Sequence, residues 1–310
     1  MSTDMTIRNG NRLLLIALLC FAGGCSSLMH VADVDSGVKK QPGRVIAPDK
    51  ELLFPERLDQ GYTLYLPGIF GSNKITIIRG LKKADVPTAI EFFDWTTGPA
   101  LFVYNHLNRP RNRLQAKKAA AKIVAYQQQY PGRPVHVVGY SGGGTMAIMT
   151  LEALPPGVRV TNAVVIASTM ANNYDLRPAM GHTEQGIHNF YSYLDVPTLE
   201  GFCLLAGTGD GQYRLSSGMI GFYPPKSLSR AERAKYAQGL HQQPFDVNML
   251  KDGHWGGHFG WIGPLVLARH IAPLLNTPQS DDEPAAVAGA SDEEPEAVVR
   301  ISSHDEPVKR

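Results

Sequence analysis

Residues 135–149 read VHVVGYSGGGTMAIM, and the order of residue types in this stretch decides the fold. Val135, Val137 and Val138 are β-branched, follow Pro131 and Pro134, and predict a short buried strand. Gly139, Tyr140, Ser141, Gly142 and Gly143 then make a Gly-x-Ser-x-Gly pentapeptide, and the residues from Gly144 to Leu154 favour a helix. A strand, a sharp turn and a helix in that order place a serine hydroxyl at the tip of a strained bend. The flanking glycines are a steric need, because a tight turn presses neighbouring Cα atoms against the serine. The new helix aims free N–H groups at any oxyanion beside Ser141. The expectation is a serine hydrolase.

The same glycines fit a rival pattern. Gly142, Gly144 and Ala147 match a G-x-G-x-x-A dinucleotide fingerprint. That fingerprint starts directly at a strand end and needs an acid about 20 residues later. Here Gly139, Tyr140 and Ser141 intervene, and Thr161 and Asn162 stand where the acid belongs. No nucleotide or other cofactor is expected.

The N-terminus predicts a compartment. Arg8 and Arg12 precede an apolar run, Leu13 to Ala22, followed by Gly23, Gly24 and Cys25. A basic start, a short apolar run and small residues describe an export signal over 1–24, too short to be a spanning helix. Small residues before Cys25 resemble a bacterial lipoprotein signal, which would make Cys25 the lipidated N-terminus. The pattern departs from it at Ala22, where leucine is usual, so simple cleavage near Gly24 stays open. The first reading is a lipid-anchored envelope protein; the second is a soluble periplasmic or secreted one. Residues 25–57, punctuated by Gly37, Pro42, Gly43, Pro48 and Pro55, read as a tether.

Three cysteines give no disulfide framework if Cys25 is acylated: Cys20 falls in the leader, and Cys203 sits in an apolar run as a small buried hydrophobe. Residues 277–310 are rich in Asp, Glu, Pro, Ala and Ser, which predicts an acidic disordered tail. Its nine acids and three bases leave −6 there. The leader carries +1, so residues 25–276 hold +7 of the whole-chain +2. That mildly basic domain suits an anionic envelope surface, but no dense Lys/Arg stripe suggests nucleic acid.

About 220 residues between the appendages suffice for one α/β domain, placed at 58–276. Strands are expected at Tyr62–Leu66, Ala89–Trp95, Val135–Tyr140 and Val160–Ala167. Further candidate strands are 187–192 and 202–206, with Asp246–Leu250 the last. Helices are expected around Lys74–Lys83, Arg113–Gln129 and Gly260–Leu275. The long mixed segment 211–244 reads as a cap insertion. Alternating strands and helices predict a mostly parallel sheet with helices on both faces.

These features together resemble the α/β-hydrolase superfamily, serine esterases and lipases included. The resemblance rests on Leu66-Pro67-Gly68-Ile69-Phe70-Gly71 after the first strand, the Ser141 turn, and Gly257-His258 before the last helix. It implies a nucleophile, an acid and a histidine in that chain order. It also implies an oxyanion hole made by the N–H of Gly142 and one from the first loop. Pro67 cannot donate, so that second donor is Ile69, or else Phe70.

A serine needs a base, and there are ten histidines. His30 and His304 fall in the appendages and His136 within the nucleophile strand. His106, His182, His188, His241 and His270 lack a Gly-rich setting. Gly253-His254-Trp255-Gly256-Gly257-His258-Phe259 has one, and its glycines let the chain turn over the sheet edge. His258, after Gly257 as in the family, is the base; His254 is the competitor. The spacing of four between these histidines also resembles metal ligands on a helix, but two glycines lie between them and no third ligand is evident, so no metal is expected. For the acid, Asp195 follows a strand-like run in a Tyr-Ser-x-x-Asp turn, Asp210 is the alternative, and Asp175 would serve only one strand earlier.

Phe70, Leu101, Phe102, Tyr104 and Leu107 are expected near the site, as an acyl-binding rim or as small satellite cores. The function predicted is hydrolysis of a small-molecule or lipid ester through an acyl-enzyme. A thioesterase or acyltransferase would use the same residues. A hydrolase-like lipoprotein that binds a surface ligand without turnover is the other class.

Overall fold

The strand ahead of Ser141 lies at the middle of a seven-stranded sheet. The computed structural model describes residues 52–71 and 74–276; the leader, Cys25, most of the tether and the acidic tail lie outside the described residues. The strands are β1 (Leu52–Leu53), β2 (Tyr62–Leu66), β3 (Ala89–Phe92), β4 (Val135–Tyr140), β5 (Asn162–Ile166), β6 (Ile187–Tyr191) and β7 (Leu240–Pro244). Their order is β1-β3-β2-β4-β5-β6-β7, and every pairing is parallel except that of β1 with β3. Leu66 pairs with Gly139, and Tyr140 with Ile166, so Ser141 leaves the sheet between the ends of β2 and β5.

Four longer helices cover the sheet: α1 (Lys74–Lys83), α2 (Arg109–Gln129), α3 (Gly142–Glu152) and α4 (Arg230–Gly239). Leu64, Leu66, Val137, Ala163 and Val165 face one core with Ala119 and Ile123 of α2 and Ile148 and Leu151 of α3. Tyr65, Val138, Val164 and Ile166 face a second core with Ile77 and Leu81 of α1 and with Trp261 and Val266. Central strands buried on both faces read as near-continuous apolar runs, which is why β4 and β5 are plain in the sequence.

Several expectations need correction. Leu52–Leu53, placed in the tether, form the antiparallel edge strand, so the domain begins ahead of residue 58. Residues 201–206 are helical rather than a strand, continuing a π turn at Val196–Glu200. Phe202, Cys203, Leu204 and Leu205 include no β-branched residue, and a short apolar run suits either state. The last strand is β7, not Asp246–Leu250. Asp246 caps a 3-10 turn, Val247–Asp252, by accepting the Asn248 N–H at 2.7 Å. β7 reads LHQQP because an edge strand keeps contact with solvent.

The segment 211–244 is therefore in part the sheet itself. Residues 240–244 are β7, and α4 is the crossover from β6 to its parallel neighbour. Residues 217 and 218 hydrogen-bond under the strand ends, the Ser217 N–H to the Met170 carbonyl at 2.7 Å and the Gly218 N–H to that of Ser168 at 2.9 Å. The final helix is broken into a 3-10 turn at His258–Ile262, a single α turn, a π turn and a 3-10 turn ending at Leu275. Pro264 and Pro273 lack the N–H that a continuous ladder needs. Among the described residues no helix is long and apolar enough to cross a membrane.

Candidate active site

Ser141 has φ 56° and ψ −122°, a left-handed-side conformation that a non-glycine residue adopts only under constraint. The neighbours supply the constraint. A Cβ on Gly139 would fall 2.1 Å from the Gly143 carbonyl oxygen, and one on Gly143 would fall 2.0 Å from that of Leu66. No side chain fits at either position. The Ser141 N–H is held by the Ile166 carbonyl at 2.8 Å, tying the turn to β5.

Two loops from farther along the chain meet this serine. Asp195 follows β6 and caps the π turn, its Oδ1 accepting the Leu199 N–H at 3.2 Å. Its other oxygen, Oδ2, lies 2.6 Å from Nδ1 of His258. Nε2 of His258 lies 3.0 Å from Oγ of Ser141. All three residues are buried. The His258 ring rests on Tyr140, with centroids 5.0 Å apart, and the Tyr140 hydroxyl donates to the His258 carbonyl at 3.2 Å. Ser192 anchors the loop ahead of His258 by donating to the Gly256 carbonyl at 2.5 Å.

The alternatives are placed elsewhere. His254 is fully buried, edge-on to Trp261 at 4.2 Å, and its Nδ1 accepts the Gly256 N–H at 2.9 Å. Burial lowers its pKa to about 4, so it is a neutral packing residue. Asp210 accepts the Ala171 N–H at 2.9 Å and the Gln212 amide at 2.8 Å, and makes no contact with His258. Asp175 pairs with Arg177. Cys203 is buried, and burial together with nearby carboxylates pushes its thiol pKa up, the opposite of a nucleophile. Among the described residues no group of three or more His, Cys, Asp or Glu side chains could hold a metal. The glycines of the dinucleotide pattern serve packing: a Cβ on Gly142 would meet Ile69 at 2.4 Å, and one on Gly144 would meet Ser168 at 2.7 Å.

The loop after β2 is braced from its far side. Trp95 donates its indole N–H to the Pro67 carbonyl at 2.7 Å, and Asn105 donates its amide to the Ile69 carbonyl at 2.9 Å. These contacts hold the Ile69 amide nitrogen beside Gly142, where it would lie 3.5 Å from a Cβ built on that glycine. Two backbone amides, of Ile69 and of Gly142 at the start of α3, therefore stand next to Ser141. The ring of Phe70 instead stacks on Phe102 at 4.9 Å. Neither Trp95 nor Asn105 stood out in the sequence, since nothing local marks a side chain that braces a loop at a separation of 28 or 36 residues.

A small, mostly apolar cavity of about 50 Å³ opens over Ser141 and His258, walled by Phe70, Thr169, Leu199, Phe202 and Phe259. Leu101, Tyr104 and Leu107 do not line it; they are exposed.

A mostly parallel sheet, a serine on a strained turn after its central strand, and the chain order Ser141, Asp195, His258 define the α/β-hydrolase fold. No protein-family model and no curated protein matches the chain. Solved structures similar to it include a poly(3-hydroxybutyrate) depolymerase from Bordetella parapertussis, 13% identical over 70% of this chain and 78% of that one, with a TM-score of 0.39. A dienelactone hydrolase-like promiscuous phosphotriesterase from metagenomic libraries is 14% identical over 60% and 68%, with a TM-score of 0.36. A lipase-esterase related protein from Clostridium acetobutylicum is 14% identical over 69% and 92%, with a TM-score of 0.34. The fold assignment rests on the sheet and the serine turn rather than on these distant likenesses.

Proposed function

We propose that this chain is a serine hydrolase that cleaves carboxylic esters of short acyl groups through an acyl-enzyme on Ser141. The observation that carries the reading is the unbroken relay from Asp195 through His258 to Ser141, at 2.6 and 3.0 Å, ending on a strained turn. In this mechanism His258 Nε2 takes the Ser141 proton as Oγ attacks the ester carbonyl carbon. Asp195 holds the Nδ1–H tautomer and balances the imidazolium. The amides of Gly142 and Ile69 receive the negative oxygen of the tetrahedral intermediate. His258 then protonates the departing alcohol, and a water repeats the sequence to release the acid and free Ser141. Thioesters would follow the same path, and an alcohol in place of that water would make the reaction a transfer.

The size of the cavity supports short acyl groups. The cavity over Ser141 is small and mostly apolar, walled by Phe70, Leu199 and Phe202, which favours a short apolar acyl group over a long chain. Export and a lipid anchor at Cys25 complete the proposal, supported by the basic, apolar and small-residue order of the leader. The mass of the mature N-terminus checks it: an intact Met1 sinks export, and a free residue near 25 replaces the anchor with a soluble periplasmic form.

Activity is tested with the p-nitrophenyl acetate, butyrate and octanoate esters. Acetate should turn over at least tenfold faster than octanoate, and Ser141→Ala should lose about a million-fold. A fluorophosphonate should label only the wild type. A folded protein that neither turns over nor labels would be a binding scaffold.

A further inference from the structure

A second and larger cavity, about 390 Å³, lies at the far end of α3 and shares no lining residue with the first. Met149, Glu152 and Ala153 wall it, so about 12 Å of helix separates its near edge from Ser141. One face of α2 contributes Arg109, Arg113 and Lys117 at successive spacings of four. Across from them stand Tyr174, Asp210 and Gln212.

Three features mark this as a built anion site. First, none of the three cations makes an ion pair among the described residues, while the two carboxylates in the wall already have partners. Both Glu152 oxygens accept the Tyr174 hydroxyl, at 2.9 and 3.0 Å, and the Asp210 oxygens accept Ala171 and Gln212. Second, Arg109 is held flat against the 207–212 turn, where a Cβ on Gly211 would fall 2.4 Å from its Cζ. Its Nε is buried against that turn without a hydrogen-bond partner, which fixes the guanidinium at the cavity wall. Third, α2 has no acid in its first turn and begins with Arg109, Arg111 and Arg113, opposite to what the helix dipole favours. Arg111 is accounted for by its bond to the Trp95 carbonyl at 2.7 Å; Arg109 and Arg113 form no hydrogen bond through their side chains among the described residues, although the Arg113 charge lies close enough to Glu152 to favour its ionised form.

The turn opposite is pre-formed. The Thr208 N–H donates to the Gln212 carbonyl at 2.7 Å, the Gln212 N–H to the Thr208 hydroxyl at 2.9 Å, and His106 anchors the Gly207 carbonyl at 2.8 Å. A rigid turn facing three cations that form no ion pair among the described residues suits a ligand that is anionic at one end and hydroxylated at the other. The remaining lone pairs of Glu152 and Asp210 would accept its hydroxyls. Three cations exceed what a single carboxylate engages, whereas a phosphate offers several oxygens and up to two charges.

We propose that this cavity binds a phosphate-bearing polyol, with the phosphate among Arg109, Arg113 and Lys117 and the hydroxyls toward Glu152 and Asp210. A free sugar or glycerol phosphate and the headgroup of an anionic phospholipid share this chemistry. The site does not depend on the hydrolase reading, and its test needs no turnover.

Titration calorimetry of the full chain with glycerol 3-phosphate and with inorganic phosphate tests it directly. Sedimentation with phosphatidylglycerol or phosphatidylcholine vesicles is the lipid arm. The double variant Arg113→Gln with Lys117→Gln should keep the fold, because both side chains are exposed. Lys251→Gln, an exposed lysine outside the cavity, is the charge control. Saturable glycerol 3-phosphate binding, at least tenfold weaker in the double variant and unchanged in the control, supports a soluble ligand. Retention on phosphatidylglycerol alone, lost in the double variant, supports a headgroup. No binding in either arm overturns the proposal. So does equal affinity in the double variant, or an equal loss in Lys251→Gln, which would mean diffuse surface charge.

Discussion

The nucleophile turn, residues 139–143, and the histidine loop, residues 253–260, are both glycine-rich and both end at the same small cavity, yet they are held by different means. In the turn, Gly139 and Gly143 are fixed by backbone collisions near 2 Å that no rearranged side chain could relieve. In the loop, a Cβ on Gly253 or Gly257 would meet nothing within 4 Å, while one on Gly256, whose φ is 82°, would first meet the Leu194 side chain at 2.5 Å and one on Gly260 the His254 ring at 2.3 Å. Gly253 has a reason in its φ of 81°, but Gly257 sits at φ −84° and ψ 170°, open to any residue. Side chains position this loop instead: Ser192 on the Gly256 carbonyl, Tyr140 on the His258 carbonyl, and His254 packed on Trp261. One end of the relay is thus set by the chain's own backbone, and the other by packing that mutation can loosen gradually.

The largest expected contrast is between the two histidines. His258→Ala should cost about a million-fold in kcat under the proposed mechanism. His254→Ala should cost less than tenfold while losing about 1–3 kcal/mol of stability, read by urea denaturation. Equal losses of activity would erase the distinction between base and buttress. Asp195→Asn comes next, with about 10⁴-fold lower kcat in a protein of unchanged melting temperature, because the amide would favour the wrong tautomer. A loss under tenfold would mean that another group orients His258.

The glycines sharpen the comparison in stability rather than rate. Gly143→Ala should yield little folded protein, since its Cβ has no place to go. Gly257→Ala should stay within about 0.5 kcal/mol of wild type and retain activity. A tolerated Gly143→Ala would show that the turn can open.

The smallest effect is on acid stability. Burial holds His106, His136, His188 and His254 near pKa 4, below the ordinary histidine value. The unfolded chain therefore binds more protons below about pH 6.5. The stability these neutral rings contribute is complete above that pH and is lost as pH falls toward 4. The melting temperature should fall steadily over this window, and less steeply in His188→Gln. A flat profile would mean that these rings are not buried in solution.

Legibility followed burial and locality. β4, the Ser141 turn and α3 were readable because the strand is apolar on both faces and the turn's glycines are dictated within five residues. β7 is hard to read because LHQQP is half solvated, and 202–206, expected as a strand, lies in a helix because an apolar run of that length suits either state. Asp195 and His258 were placed by the chain order of a resembling family, and Gly257, part of that pattern, turns out to have no steric duty.

Sequence alone determined the parallel α/β plan and the strained serine, because these follow from periodicity and from backbone sterics over a few residues; the chain order of acid and histidine came from the family resemblance. Only the tertiary structure decided which histidine faces Ser141, which aspartate faces that histidine, and how Trp95 and Asn105 brace the Ile69 loop. It alone also gathered Arg109, Arg113 and Lys117 around a cavity with Tyr174 and Asp210. Those outcomes depend on contacts between segments tens of residues apart, and the packing of the two cores on the sheet fixes such contacts.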